Sequence, residues 1–193
     1  MDDYTTIRGA SKHSAEHQQH VDRAVDMLHK YPGIWGMFDE GQLRGRLTHP
    51  SNVLIVSDEA VAVLLDAGNA GQKFKMLCVE EEARGRGLGG KLLQYILSTY
   101  GTEHVMTLDC PPPRENFYKR HGFHTLMTRS GEYPYMAGPA ESLADAEHRL
   151  PEGSAMRYVL SQPPESLWWM CPECGEDNAP TRVQCECGYT DPR

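Results

Sequence analysis

Apolar residues recur at helical spacing in two long stretches of the chain. The first stretch predicts a helix over residues 14–30 and carries Val21, Ala24, Val25 and Leu28. The second predicts a helix over residues 88–100 and carries Leu92, Leu93, Ile96 and Leu97. Shorter helices are expected over residues 37–47 and 113–121, the latter ending before Gly122.

Short apolar and β-branched runs predict the strands. Two of them, residues 52–56 and 60–65, are separated by three polar residues and predict a hairpin. Further strands are expected over residues 4–8, 74–79, 104–108, 123–127 and 155–160. Residues 128–154 contain several Pro and Gly and show little periodicity, so we expect a long loop there that acts as a lid or a binding element.

Composition narrows the class of protein. A chain of 193 residues has room for one sizeable domain and a small appendage. Its net charge of −8 argues against a general nucleic-acid coat and leaves a cationic substrate open. No apolar run approaches the roughly 20 residues that span a bilayer, and the N-terminus lacks the apolar centre of a secretory signal. We therefore expect a cytoplasmic protein with no membrane partner.

Four glycines and two arginines crowd residues 83–93, A-R-G-R-G-L-G-G-K-L-L. Such a loop ahead of a helix is typical of phosphate binding, because flexible backbone lets successive N–H groups face one anion. A P-loop would need a hydroxyl where Leu92 stands. A dinucleotide fingerprint is satisfied by Gly85, Gly87 and Gly90, with Asp109 as the acid, but no repeated βαβ units surround it.

A third interpretation uses more of the chain. R-G-R-G-L-G at residues 84–89 resembles the R-x-x-G-x-G signature of the GNAT acetyltransferase superfamily, and N-F-Y-K-R-H-G-F at residues 116–123 resembles its second signature. The resemblance covers residues 1–161. It implies an α+β fold with a mixed, mostly antiparallel central sheet flanked by helices.

The resemblance also implies an activity: acetyl-CoA-dependent transfer of an acyl group to a primary amine by direct attack. The acceptor would be a protein lysine, a protein N-terminus or a small cationic amine. A non-catalytic acyl-CoA-binding adaptor is the alternative. Residues implied in coenzyme binding are Leu77, Cys78, Val79, Arg84, Gly85, Arg86, Gly87, Leu88, Gly89, Gly90, Lys91 and Asn116.

For catalysis the resemblance assigns Tyr118 as the general acid, and Asn116 as a contact to pantetheine or to a water molecule. Glu80 is the leading candidate for the general base, with Glu81, Glu82 and Asp109 as alternatives. A covalent route through a cysteine is disfavoured. Cys110 is a better candidate for it than Cys78, which we expect to be buried and inert.

The C-terminal segment has a different chemistry. Four cysteines, spaced C-x₂-C and C-x-C, predict a structural zinc site of four thiolates: Cys171, Cys174, Cys185 and Cys187. The segment is similar to the Ran-binding-protein type of zinc finger, although its second pair departs from that pattern. We expect a linker over residues 162–166 and a zinc-ribbon-like module over residues 167–193. Its excess of acidic residues disfavours RNA, which leaves recruitment of a protein partner or capping of the main domain.

Overall fold

The computed structural model describes residues 4–8, 14–30, 39–66, 72–100, 104–129, 133–154, 157, 160, 161, 169, 170, 177 and 178. The chain divides into two compact units. The first comprises Met1–Gly68 and Gln72–Thr102, and the second Asn69–Gly71 and Glu103–Arg193. No helix in the described parts of the chain is long and apolar enough to cross a bilayer. The cytoplasmic location stays a prediction.

The first unit is a four-stranded antiparallel sheet with helices. Its strands lie in the order β1-β2-β3-β4: β1 (Thr5–Arg8), β2 (Asn52–Val56), β3 (Ala60–Asp66) and β4 (Gln72–Val79). Its helices are α1 (Ala15–Lys30), α2 (Glu40–Leu47) and α3 (Leu88–Tyr100). The β2–β3 hairpin and the long helices α1 and α3 confirm the predicted elements. Helical periodicity marks α1 and α3, and two apolar runs around a three-residue polar turn mark the hairpin.

The core of this unit lies beneath α1 and α2. The predicted apolar face of α1 is fully buried against sheet residues such as Ile7, Leu54 and Val61. Helix α2 contributes Leu43 and Leu47 to the same cluster. Burial of apolar surface of this extent is the main term that stabilises the unit.

Helix α2 begins at a reciprocal cap. The Asp39 carboxylate accepts the N–H of Gln42 at 2.8 Å, and the Gln42 side chain accepts the N–H of Asp39 at 3.1 Å. This capping box satisfies two donors that the helix cannot bond itself, and it sets the helix start at Glu40. The prediction began this helix three residues earlier.

The second unit is built on a smaller antiparallel sheet in the order β5-β7-β6. Its strands are β5 (Met106–Asp109), β6 (His124–Arg129) and β7 (Tyr133–Gly138). A 3₁₀ turn (Pro112–Arg114) leads into α4 (Glu115–Lys119), and α5 (Leu143–His148) follows β7. Its core includes Val105, Tyr135, Ala137, Ala146 and Leu150. Two dipeptides of the tail, β8 (Trp169–Met170) and β9 (Asp177–Asn178), also pair antiparallel.

Two predictions for this unit are wrong. Residues 128–154 are not a patternless loop, since they hold both β7 and α5. The strand expected over residues 155–160 is contradicted by Arg157 and Leu160, which are helical. Ser154 caps this helical turn, because its hydroxyl accepts the N–H of Arg157 at 3.2 Å, and Ser161 N–H donates to the Arg157 carbonyl at 3.2 Å.

Strand β7 passes very close to the start of β6. A Cβ atom built on Gly138 would lie 2.6 Å from the Gly122 carbonyl oxygen and 2.6 Å from the Cα of Phe123. Gly122 itself has φ of +80° and follows α4. The close approach of the two backbones therefore depends on the missing side chain at position 138.

The helices and strands described above confirm the predicted fold class, an α+β fold with a mostly antiparallel sheet and flanking helices.

Candidate functional site

The glycine-rich loop lies between β4 and α3, as predicted. Glu80 is the first residue after the strand, and a 3₁₀ turn (Glu81–Ala83) connects it to the loop. Gly85 and Gly87 have φ of +78° and +79°, in the left-handed region where other residues are strained. A Cβ atom on either glycine would meet nothing within 4 Å, so the glycines serve backbone conformation, with open space in front of them.

Helix α3 starts directly after these glycines. Its first backbone hydrogen bond runs from Lys91 N–H to the Gly87 carbonyl at 3.1 Å. The N–H groups of the three residues before Lys91 therefore lie outside the ladder of the helix, at its positive dipole end. Positive-φ glycines ahead of such a helix start are typical of backbone that binds phosphate.

Three cationic side chains accompany the loop, all of them exposed: Arg84, Arg86 and Lys91. Arg84 Nε donates to the Val79 carbonyl at 3.2 Å, which fixes it against the end of β4. Arg86 forms an ion pair with Glu59 of the β2–β3 turn, with 2.6 Å between Nη1 and Oε1. The loop therefore offers positive charge to solvent at the helix start, and one of its arginines already has an acidic partner.

Strand β4 contains a bulge that the sequence does not reveal. Along β3 and β4, Val63 lies opposite Met76 and Leu64 lies opposite Phe74, which leaves Lys75 as an extra residue on β4. A bulge of this kind bends the strand and raises its twist, and bulges are common beside active sites. The run of residues 74–79 reads as a regular strand, so periodicity alone gives no sign of it.

The three residues predicted to pair with pantetheine end this strand. Leu77, Cys78 and Val79 are half-buried and lie opposite Ala62, Val61 and Ala60 of β3. Burial raises the pKa of the Cys78 thiol above its ordinary value, against a smaller opposing effect of the Arg84 charge. A raised pKa leaves less of the nucleophilic thiolate at neutral pH. Cys78 is half-buried and not fully buried as predicted, and its inertness stays a prediction.

Glu80, the leading candidate for the general base, lies where β4 meets the loop. Its side chain is 18% exposed, and its Oε1 is 3.0 Å from Nζ of Lys30 at the end of α1. Its N–H donates to the Glu59 carbonyl at 2.9 Å. Glu81 and Glu82 are exposed on the 3₁₀ turn, which makes Glu80 the most enclosed of the three acids.

An open groove runs along α1 beside Glu80. It is lined by Gln19, Asp22, Arg23, Asp26, Met27, Lys30, Asp58 and Glu80. Its carboxylates outnumber its cationic groups by four to two, so the groove carries an excess of negative charge. Such a surface favours a positively charged ligand over a negatively charged one.

In the second unit, Tyr118 lies on α4 and is buried, with 9% of its surface exposed. Its ring packs edge-on against Phe117 at 5.0 Å and Phe123 at 5.7 Å between centroids. Burial raises the pKa of Tyr118 well above its ordinary value, and the neighbouring Cys110 adds to the effect. The phenol is therefore held in its protonated form.

Cys110 is fully buried at the end of β5, and its thiol donates to the Pro111 carbonyl at 3.2 Å. Burial, followed by the charges of Glu115 and Asp109, raises the pKa of Cys110 to about 11. A thiol with this pKa is almost entirely protonated at neutral pH, and the thiolate is the nucleophilic form. The arrangement disfavours a covalent route through Cys110.

Helix α4 is anchored by a residue that the sequence did not single out. Glu115 Oε1 lies 2.6 Å from the Thr125 hydroxyl of β6 and 2.7 Å from Nζ of Lys119. The ion pair with Lys119, followed by the Thr125 hydrogen bond, lowers the pKa of Glu115. Asn116, the next residue, is exposed on the same helix. A carboxylate at the start of a five-residue helix gives no sequence signal that separates it from any surface acid.

The four predicted zinc ligands lie outside the described residues. Among those that are described, no group of His, Cys, Asp or Glu is placed to hold a metal ion. Strand β8 ends one residue before Cys171, and β9 begins three residues after Cys174. The first cysteine pair therefore belongs to the segment that joins two paired dipeptides.

Comparisons with known proteins agree with this geometry. Residues 50–125 match the family described as acetyltransferase (GNAT) domain. Similar solved structures include ElaA from Escherichia coli, with 21% identity, a TM-score of 0.51 and coverage of 71% of this chain and 99% of that one. GCN5 from Tetrahymena shows 9% identity, a TM-score of 0.56 and coverage of 72% and 98%. An acyl-CoA N-acyltransferase from Pseudomonas aeruginosa shows 17% identity, a TM-score of 0.52 and coverage of 71% and 97%.

No curated protein gives a significant match. The structural likenesses establish the GNAT-like fold, and the family match spans the β2–β3 hairpin, β4, the glycine loop, α3 and α4. Together they support an N-acetyltransferase, so the predicted enzyme class is confirmed. The alternative of a non-catalytic adaptor has no support in these findings.

Proposed function

We propose that the protein transfers the acetyl group of acetyl-CoA to a primary amine by direct attack, without an acyl-enzyme intermediate. The observation that carries this proposal is the pair of positive-φ glycines that flank Arg86 at the head of α3. They face open space, they lie inside the segment that matches the family, and their backbone suits a pyrophosphate.

In this proposal the coenzyme is held along β4 and the loop that follows it. The backbone of residues 85–90 and the charges of Arg84, Arg86 and Lys91 bind the pyrophosphate. The backbone of Leu77, Cys78 and Val79 pairs with the pantetheine arm, and Asn116 contacts the same arm. What supports this assignment is that a single 3₁₀ turn joins β4 to the glycine loop, so the strand and loop residues are close neighbours along the chain.

The chemical step needs one base and one acid. Glu80 takes a proton from the ammonium form of the acceptor, directly or through water, and the neutral amine nitrogen then attacks the thioester carbonyl carbon. The carbon–nitrogen bond forms, the carbon–sulfur bond breaks, and the Tyr118 phenol donates its proton to the leaving thiolate. The amide nitrogen loses its second proton, which passes through water to restore the Tyr118 phenol, while the first proton leaves Glu80 to solvent. The position of Tyr118 within the second sequence signature, residues 116–123, supports this role.

For the acceptor we propose a cationic primary amine, either a small molecule or a lysine side chain or N-terminus on a protein. The excess of carboxylates in the groove along α1 supports a cation, and Glu80 forms part of that groove. A panel of polyamines, aminoglycosides, lysine peptides and nucleic acids, assayed for release of free CoA, identifies the acceptor. Turnover with only neutral or anionic acceptors would contradict this assignment.

Calorimetry with acetyl-CoA tests the coenzyme site. Binding is expected for the unmodified chain and is expected to be lost in Gly87→Glu, which adds both a strained side chain and a negative charge at the loop. Glu141→Gln, an exposed residue of the second unit, is the control and should bind normally. Absence of binding in the unmodified chain would overturn the proposed function.

For the tail we propose a structural zinc ion bound by Cys171, Cys174, Cys185 and Cys187, in a module over residues 167–193 that follows the catalytic domain of residues 1–161 through the linker 162–166. Four thiolates suit tetrahedral Zn²⁺, and so short a segment has little apolar surface to stabilise it otherwise. The antiparallel pairing of Trp169–Met170 with Asp177–Asn178, which precede and follow the first cysteine pair in the sequence, supports this. The module recruits a protein partner or caps the fold.

Metal analysis of the purified chain tests the zinc site. One equivalent of zinc is expected, and Cys174→Ser should lower it strongly while acetyl-CoA binding persists. Cys78→Ser is the control, because Cys78 lies in β4 and not in the tail. A chain that is active and holds no zinc would contradict the site.

A further inference from the structure

The β2–β3 turn touches the glycine loop segment at two points, and both contacts come from Glu59. Its backbone carbonyl accepts the N–H of Glu80 at 2.9 Å. Its carboxylate forms the 2.6 Å ion pair with Arg86. The turn thereby places one negative charge directly against the loop that has the geometry of a phosphate site.

The neighbouring acid in the same turn behaves differently. Asp58 pairs with Arg23 of α1, away from the loop, and its side chain is far more exposed than that of Glu59. The two acids therefore have the same charge and adjacent positions in the chain, and only one of them contacts a cationic group of the loop. This difference provides a matched comparison within one turn.

Arg86 is the residue that both the Glu59 carboxylate and a phosphate of the coenzyme would contact. It lies between Gly85 and Gly87, so its backbone belongs to the positive-φ loop that has open space in front of it. A guanidinium that is paired with a carboxylate must share or exchange that partner when a phosphate arrives. Both members of the pair are about half exposed, so the pair is weak and a doubly charged pyrophosphate would compete well against a single carboxylate.

We propose that Glu59 is an affinity-determining residue of the coenzyme site: an internal counter-ion that occupies Arg86 in the unliganded protein and competes with the phosphates of the coenzyme. This inference rests on the proposed function. Acetyl-CoA and CoA carry the same phosphates, so Glu59 weakens the binding of both to a similar degree. It thereby limits retention of the product after each turnover.

Calorimetric titration with acetyl-CoA and with CoA at low ionic strength tests the inference. Glu59→Gln, which keeps the backbone contact and removes the charge, is expected to bind both ligands about threefold more tightly. Asp58→Asn is the matched control and is expected to leave both affinities unchanged. The gain in Glu59→Gln should shrink at high salt, because screening weakens exposed charges.

A second variant separates competition for Arg86 from a general field effect. In an Arg86→Ala background, Glu59→Gln is expected to change the affinity by much less than in the unmodified chain. Unfolding curves of each variant establish that it is folded. Should Glu59→Gln fail to fold, Glu59→Ser removes the same charge with a smaller side chain and is measured in its place, with the same threefold gain expected.

The outcomes are distinct. Unchanged or weaker binding in the folded Glu59 variant overturns the inference, as does an equal gain in Asp58→Asn, while acetyl-CoA binding by the unmodified chain leaves the proposed function standing. If Glu59→Gln raises the affinity by the same factor in the Arg86→Ala background, competition for Arg86 is also overturned. No acetyl-CoA binding by the unmodified chain overturns the proposed function and this inference together.

Discussion

The ammonium nitrogen of Lys30 lies 3.0 Å from Oε1 of Glu80, so the last residue of α1 neutralises the carboxylate that we propose as the general base. A nearby cation favours the ionised form of a carboxylate. It also makes that carboxylate a weaker base, and the pair must open when the acceptor delivers its proton.

Lys30→Met is therefore expected to raise kcat/KM, by less than about fivefold, because a partly exposed ion pair contributes less than about 1 kcal/mol. Profiles of kcat/KM measured between pH 5 and 9 check this. Glu80→Gln should lower kcat/KM across the whole range, whereas Glu82→Gln, on the exposed 3₁₀ turn, should not. If Glu80→Gln retains full activity, another base operates.

Tyr118→Phe is expected to lower kcat by about 100-fold, in the range of general acid catalysis, with the Kd for acetyl-CoA unchanged. The phenylalanine ring preserves the edge-on packing with Phe117 and Phe123, so the fold should be intact. Steady-state kinetics and calorimetry separate the two effects. Tyr133→Phe, at a position that is 42% exposed, is the control and should behave as the unmodified enzyme. A kcat within twofold of normal for Tyr118→Phe would contradict the acid assignment.

Gly87→Ala is expected to weaken acetyl-CoA binding by at least about tenfold, because a φ of +79° strains any L side chain by an amount on the order of 1 kcal/mol or more, and relief of that strain distorts the loop. Gly45→Ala is the matched control. Gly45 lies inside α2 with open space around it, so alanine there should raise stability slightly and leave binding unchanged. Equal affinities for the two variants would show that the loop conformation does not determine binding.

Stability is expected to fall in alkaline solution because of Cys110. Its pKa is about 11 in the folded protein against an ordinary 9.0, so between these values the unfolded chain loses the thiol proton while the folded chain keeps it. The free energy of unfolding therefore decreases as pH rises from 9 to 11, by on the order of 1 kcal/mol per pH unit. Urea unfolding at pH 8 and pH 10.5 measures the loss, which should be smaller in Cys110→Ala. An identical loss in that variant would assign the effect to other groups, such as Tyr118.

Long elements with regular periodicity could be predicted from the sequence. Helices α1 and α3 carry enough repeats to show a period of 3.6, and the β2–β3 hairpin could be predicted from two short apolar runs separated by three polar residues. The glycine loop could be placed because positive-φ positions and a following helix both have sequence signals.

The missed elements are short or contain residues that usually mark turns. Strand β7 reads Y-P-Y-M-A-G, and its proline and glycine suggested a loop. In the structure Pro134 bonds to the neighbouring strand through its carbonyl, which accepts the Cys110 N–H at 3.0 Å, and Gly138 is required by close packing. Helix α5 has only six residues, too few for a periodic signal.

In the candidate site, too, some features could be predicted from the sequence and others could not. The glycines and arginines of the loop could be identified from their spacing. The partners of Arg86 and Glu80 could not, because Glu59 lies 27 residues from Arg86 along the chain and Lys30 lies 50 residues from Glu80. Such contacts depend on how the hairpin and α1 pack. The β4 bulge and the Glu115 anchor are likewise properties of packing and register.

The close approach at Gly138 has a consequence for how this sequence can vary. A single methyl group there would overlap backbone atoms of two residues, and backbone cannot rotate away as a side chain can. In a saturation library of the codons for β7, glycine alone should survive at position 138. By contrast, the outward-facing Tyr133 at the other end of the strand should accept most polar residues. The two ends of one six-residue strand would thus show opposite tolerance to mutation.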